Sequence, residues 1–349
     1  KEGFSGYLAK PVSGALLEAA VLSILPKSLV NLNEEAPQAD IEKDILIFEQ
    51  AQRRSILITT DSVCDLPESL RKEFSLSVCP YYVCTEEGRF LDGAELRPDE
   101  LLAHIAGGRK GYSHPPEVED YERFFAEKLT EAQNVIHITM ARHVSDGYQN
   151  ACEAAKSFEN VTVLDSGHLS SSMGLVVLCA AYMAEHHAAK EEILEAVKRM
   201  ERFISSAFII NNTHMMCQSG RIPKHIQILC DALLLHPVLA LKRSRMVVSR
   251  MEIGSFFHAA KKYIKRTLQN TGNIDRRILF ITYSGMDEKR LRFIQSLVQQ
   301  YCPFERVYLQ KASSAIASNC GPGSFGLLFM RRDDAAVPFF QTASHDGTV

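Results

Sequence analysis

The chain has 349 residues, 46% of them hydrophobic, enough for a large buried core spread over two domains and an appendage. Its net charge of −3 gives no electrostatic case for nucleic acid or an anionic membrane as partner. The longest apolar run, Gly174 to Ala184, is too short to span a bilayer, and no charged-then-apolar signal segment opens the chain, so a cytoplasmic protein without stable membrane insertion is expected.

In chain order, Gly6-Tyr7-Leu8-Ala9-Lys10-Pro11-Val12 and the amphipathic stretch after it (Leu16, Leu17, Ala20, Val21, Ile24, Leu25) resemble the last strand, Lys-Pro turn and final helix of response-regulator receiver domains. That resemblance covers residues 1–30 only. In such a domain the phosphorylatable aspartate and acidic pocket lie upstream of this stretch, so no phosphotransfer role is expected of Lys10 within residues 1–30. Residues 31–54 read as a polar linker closed by a short helix.

From Ser55 onward strands alternate with helices. The pattern predicts strands over 55–60, 77–84, 134–139 and 161–164, and helices over 67–74, 98–106, 117–131, 149–156, 172–186 and 190–202. Such β-α alternation argues for a mostly parallel sheet over 55–204, whose ligands bind at the carboxyl ends of the strands. Thr60-Asp61-Ser62, the loop at Ser113, Ser145 and Asp165-Ser166 would gather on that edge.

A mixed α/β domain over 205–335 follows. Strands are expected at 207–211, 277–283, 306–309 and 326–330, a hairpin at 238–248, and helices at 226–235, 255–268 and 288–301. The tail, 336–349, has little pattern. Nine cysteines stand singly, with no Cys-x-x-Cys pair and no Cys/His set at zinc spacing, which fits a reducing compartment and predicts no metal site.

The stretch from Asn134 to Ala155 has the strongest functional signal. A strand ends in Val144-Ser145-Asp146-Gly147-Tyr148 and a helix opens, leaving backbone N–H groups at the positive end of the helix dipole, a place that suits an anion. Asp146 and Gln149 also have the spacing of a capping box, in which case the turn is filled by its own side chains.

Thr60-Asp61-Ser62-Val63-Cys64-Asp65-Leu66-Pro67 resembles the Thr-Asp-Ser-x-x-Asp-Leu-Pro that opens proteins of the DegV family. In order along the chain follow Ser113-His114-Pro115-Pro116, where that family has Thr-Ser-Gln-Pro, Val144 to Tyr148 for Leu-Ser-Gly-Thr-Tyr, and Asp165-Ser166 for Asp-Ser. Ser219-Gly220-Arg221-Ile222 is similar to Gly-Gly-Arg-Ile, Leu235-His236-Pro237 to Ile-Lys-Pro, and Gly321-Pro322-Gly323 to the terminal Gly-Pro-Gly.

The resemblance implies a two-domain α/β protein that holds a long-chain fatty acid between its domains, has no catalysis of its own, no metal and no other cofactor, and presents the carboxylate to a separate fatty acid kinase. It implies head-group donors at Ser113, Ser145, Arg221 and Asn319, with Thr60, Asp61, Ser62, Tyr112, His114, Asp146, Gly147, Asp165, Ser166, Gly321 and Gly323 around the site. Buried carboxylates require such donors.

Three departures stand out: Tyr112 for Thr, Asp146-Gly147 for Gly-Thr, and Asn319 for His. Asn319 carries no charge at neutral pH, and Asp146 sets a carboxylate beside the expected anion. Two other classes of function compete. One is an enzyme using Asp61, Asp165 or His114 as base, although no nucleophile triad, phosphate loop or metal cluster is evident. The other is a lipid-responsive signalling module coupled to the receiver-like segment.

Overall fold

The computed structural model describes residues 53–218 and 222–332; the receiver-like segment, most of the linker, Ser219 to Arg221 and the tail lie outside the described residues. The strands in chain order are β1 (Arg54–Asp61), β2 (Ser77–Cys79), β3 (Tyr82–Thr85), β4 (Gly88–Leu91), β5 (Gly111–His114), β6 (Ala132–Thr139), β7 (Val161–Asp165), β8 (Ile204–Ile209), β9 (Leu235–Lys242), β10 (Arg245–Ile253), β11 (Ile274–Tyr283), β12 (Arg306–Lys311) and β13 (Phe325–Arg331).

They form three sheets. The first is wholly parallel, in the order β2-β1-β6-β7, and its register sets Thr60 beside Val78 and Ile138, and Thr139 beside Asp165. This is the parallel sheet that the β-α alternation predicts. The six-stranded sheet runs β10-β9-β8-β13-β11-β12 and is mixed, because only β11 and β12 pair in parallel. A small antiparallel sheet, β4-β3-β5, sits apart from both.

The helix Ser170–Glu185 contains the apolar run noted above, and 13 of its 16 residues are buried, so it is a core helix covered on all sides. It packs against β1 on one side and β8, β11 and β13 on the other, joining the two large sheets through one continuous apolar cluster. Gly174 makes the close approach possible, since a Cβ there would lie 2.8 Å from the Cys64 carbonyl. Among the described residues no helix is long and apolar enough to cross a membrane.

Two expectations change. The run 77–84 is not one strand: Pro80 has no N–H to continue the ladder, so pairing with β1 ends at Cys79 and the chain enters the small sheet at Tyr82. Ser113 consequently lies in β5, opposite Val83, rather than in a loop. The helix Ser314–Cys320 is also additional; its small polar residues carry little helical periodicity, and it is held at its start by the side chain of Ser313, which accepts from Ile316 N.

Candidate functional site

A cavity of about 550 Å³ opens between the two large sheets and the small one. Its walls come from Met140 and Val144 after β6, from Phe208, Ile210, Leu239 and Met246 of the six-stranded sheet and its margins, and from Ile316 of the helix Ser314–Cys320. These apolar walls carry a few polar groups: Tyr81, Tyr112, Ser113, Ser145, Asp146, Gln218 and Asn319. Size and lining suit a small organic ligand with a long apolar part and one polar head.

The two serines are fixed from behind. Ser145 Oγ lies 2.8 Å from the Tyr81 hydroxyl and accepts from Gly147 N–H at 3.2 Å. Ser113 Oγ accepts from Asn319 Nδ2 at 3.2 Å, and the same amide donates to Ala315 O at 2.8 Å. Asp146 is exposed and makes no capping hydrogen bond, so the capping box with Gln149 does not form; Ser145, one residue earlier, takes the first helical amide instead. The carboxylate of Asp146 therefore borders the cavity without an amide to satisfy it.

The DegV profile, described as an uncharacterised protein family, matches residues 55–332. The chain belongs to the DegV family. A DegV domain-containing protein of Caldanaerobacter subterraneus subsp. tengcongensis is 24% identical over 277 residues, covering 78% of this chain and 98% of the relative. One from Clostridium acetobutylicum is 27% identical over 197 residues, 55% of this chain and 70% of its own.

Among solved structures, a DegV family protein from Thermus thermophilus, described by its fatty acid binding, aligns with a TM-score of 0.71 at 27% identity, covering 80% of this chain and 100% of that one. A stearic acid-binding protein from Eubacterium ventriosum aligns at 0.66 with 19% identity, over 78% and 97% of the two chains, a likeness of fold.

Most of the DegV motif residues hold the cavity rather than border it. Asp61 is fully buried: Tyr121 Oη donates to its Oδ1 at 2.8 Å, His137 Nε2 reaches the same oxygen at 3.2 Å, and Met140 N–H meets Oδ2 at 3.4 Å. Thr60 donates to Ile138 O, pinning β1 to β6. Ser62 donates to Asp92 Oδ2, and Asp92 Oδ1 accepts from Ser314 and Ala315 N–H, so the opening motif reaches across to the start of the helix that carries Asn319.

Asp65 grips the neighbouring turn: its Oδ1 accepts from Ser313 N–H at 2.8 Å and its Oδ2 from Ser170 Oγ at 2.5 Å. Burial pushes the Asp65 carboxyl up to about 7, against the pull of the Ser170 and Ser313 hydrogen bonds. Burial also raises Asp92 above its ordinary value.

Asp165 accepts from Gly167 and Arg142 N–H, and Ser166 exchanges hydrogen bonds with His168, so both stabilise the turn after β7. His114 Nδ1 meets Pro115 O at 2.8 Å. Gly321, at φ 71°, ends the helix Ser314–Cys320, and Gly323, at φ 80°, turns the chain back into β13. None of these borders the cavity, whereas Tyr112, Ser113, Ser145, Asp146 and Asn319 do. Gly147 sits just behind it, a Cβ there lying 2.5 Å from the Tyr81 oxygen.

Tyr81, Gln218, Met140 and Met246 also stand on the wall, and no motif in the sequence singles them out. For Tyr81 the available signal was Pro80, which ends a strand and aims the next side chain elsewhere. Arg221 lies outside the described residues. Among these, no group of three or more His, Cys, Asp or Glu side chains is placed to hold a metal ion.

Proposed function

We propose that the protein binds one long-chain fatty acid in this cavity, with its carboxylate among Ser113, Ser145 and the motif arginine Arg221 and its tail along the apolar walls. In this reading residues 55–204 and 205–335 are the two domains that enclose it. The observation that carries the proposal is the pair of cavity serines, each held by a second side chain on a mostly apolar wall. Fatty acid binding by the DegV protein of Thermus thermophilus supports it. Each buried methylene contributes about 0.8 kcal/mol, so tail length dominates affinity, while the head group needs only enough donors to offset desolvation.

The protein acts as a carrier, presenting the carboxylate to a separate kinase. A base-catalysed enzyme has no support in the geometry, because Asp61, Asp165 and His114 are engaged within the protein and lie off the cavity. The test is palmitate uptake by the purified protein, followed by addition of ATP with and without a fatty acid kinase. Uptake with phosphorylation only in the presence of the kinase supports the carrier role. Turnover by the protein alone would replace it with an enzyme.

A further inference from the structure

The hydrogen bonds behind Ser145 determine what its hydroxyl can offer a ligand. One lone pair of Ser145 Oγ accepts from Gly147 N–H at 3.2 Å, and the Tyr81 oxygen is 2.8 Å away. Tyr81 is 2% exposed, and among the described residues Ser145 is the hydrogen-bond partner of its phenol. A phenol is a stronger acid than an alcohol, and a buried donor left unpaired is costly, so the Tyr81 proton goes to Ser145. Burial lifts the Tyr81 pKa well above its ordinary value, which keeps that proton in place.

With donors on both lone pairs, Ser145 has no acceptor capacity left and one proton to give, at a position on the cavity wall. Ser113 Oγ accepts one bond, from Asn319 Nδ2, which also meets Ala315 O at 2.8 Å and Ser318 Oγ at 3.3 Å.

We propose that Tyr81 is a positioning residue for the ligand head: by donating to Ser145 Oγ it makes Ser145 a donor-only group, which selects heads that accept hydrogen bonds over heads that donate them. The inference rests on the acyl-ligand reading above and adds a residue on the cavity wall that acts on the ligand head through Ser145.

The test is a double-mutant cycle read by titration with palmitate and with hexadecylamine, which has the same chain and a donor head. Tyr81→Phe should weaken palmitate about five- to tenfold, the worth of one hydrogen bond. In the Ser145→Ala background it should weaken palmitate less than about twofold, because the two residues act as one unit. Hexadecylamine should bind the Phe variant as well as the wild type, or better.

A merely structural role would weaken both ligands in both backgrounds, and that result, like unchanged palmitate affinity in Tyr81→Phe, overturns the inference alone. Wild-type protein that takes up no palmitate sinks the ligand reading and this inference with it. Gly147→Ala, which displaces the phenol without removing it, is the second variant should Tyr81→Phe fold poorly, and it should shift the same palmitate-to-amine preference.

Discussion

Gly147→Ala is the most informative single change. Gly147 opens the helix Gly147–Ala155 and does not have positive φ, so its backbone accepts an L-residue, and the substitution on propensity alone would stabilise the helix by up to about 1 kcal/mol. The added Cβ, however, would lie 2.5 Å from Tyr81 Oη and 3.2 Å from Tyr121 Oη, where ordinary contact begins at 3.4 Å. The phenol must retreat by about 0.9 Å, and a bond that is now 2.8 Å long does not survive that displacement.

Tyr81 and Tyr121 are both buried, with little room to move, so overpacking costs about 1–3 kcal/mol against the helix gain, leaving a net loss of up to about 2 kcal/mol. Urea denaturation should register that loss, and displacement of a fluorescent fatty acid should show palmitate binding about five- to tenfold more weakly. A variant as stable as the wild type, with the same affinity, would refute the claim that Tyr81 is fixed and that its position matters.

Ser145→Ala and Ser113→Ala should each weaken palmitate by roughly tenfold while leaving the circular dichroism unchanged, since each removes one hydrogen bond to a charged head; unchanged affinity in both would remove them from the site. Asp146→Gly should tighten palmitate by about two- to threefold at low salt and by less at 0.5 M salt, because Asp146 is exposed and its repulsion is screened; equal affinity at low salt would show that this carboxylate does not oppose the anion.

The remaining prediction concerns pH. The folded Asp65 carboxyl, at about 7, lies above its unfolded value of 3.8, so its contribution to stability is full below pH 3.8 and is lost as pH rises through 7. Asp65→Asn should abolish up to about 3 kcal/mol of that decline, read as the wild-type minus variant difference between pH 4.5 and pH 8. Buried His168, held down to about 4, acts in the opposite sense as pH falls from 6.5, but it is common to both proteins and cancels in the difference. Parallel pH profiles for the two proteins would contradict the assignment.

Local pattern was sufficient for much of the fold. The apolar run of the helix Ser170–Glu185, the β-branched residues of β1 and β6 and the alternation of elements all follow from periodicity, and burial bears them out. What was not legible depends on contacts far apart in the chain. Asp92 looks like one more turn residue, yet its carboxylate holds the start of a helix 222 residues later. Tyr81 reads as a strand residue, and its contact with Ser145 becomes visible only once Pro80 has moved the chain from one sheet to another.

The motif residues fall into two groups in the structure. Ser113 and Ser145 border the cavity, while Thr60, Asp61, Ser62, Asp165 and Ser166 are spent on internal hydrogen bonds. Polar residues at the carboxyl ends of parallel strands share one edge by topology, and only side-chain packing decides which of them face the cavity.

The most direct test of the account is native mass spectrometry of the purified protein together with lipid extraction. The account predicts a protein carrying one long-chain fatty acid per chain, or an empty protein that takes up one equivalent of added palmitate. An empty protein that takes up none would contradict it.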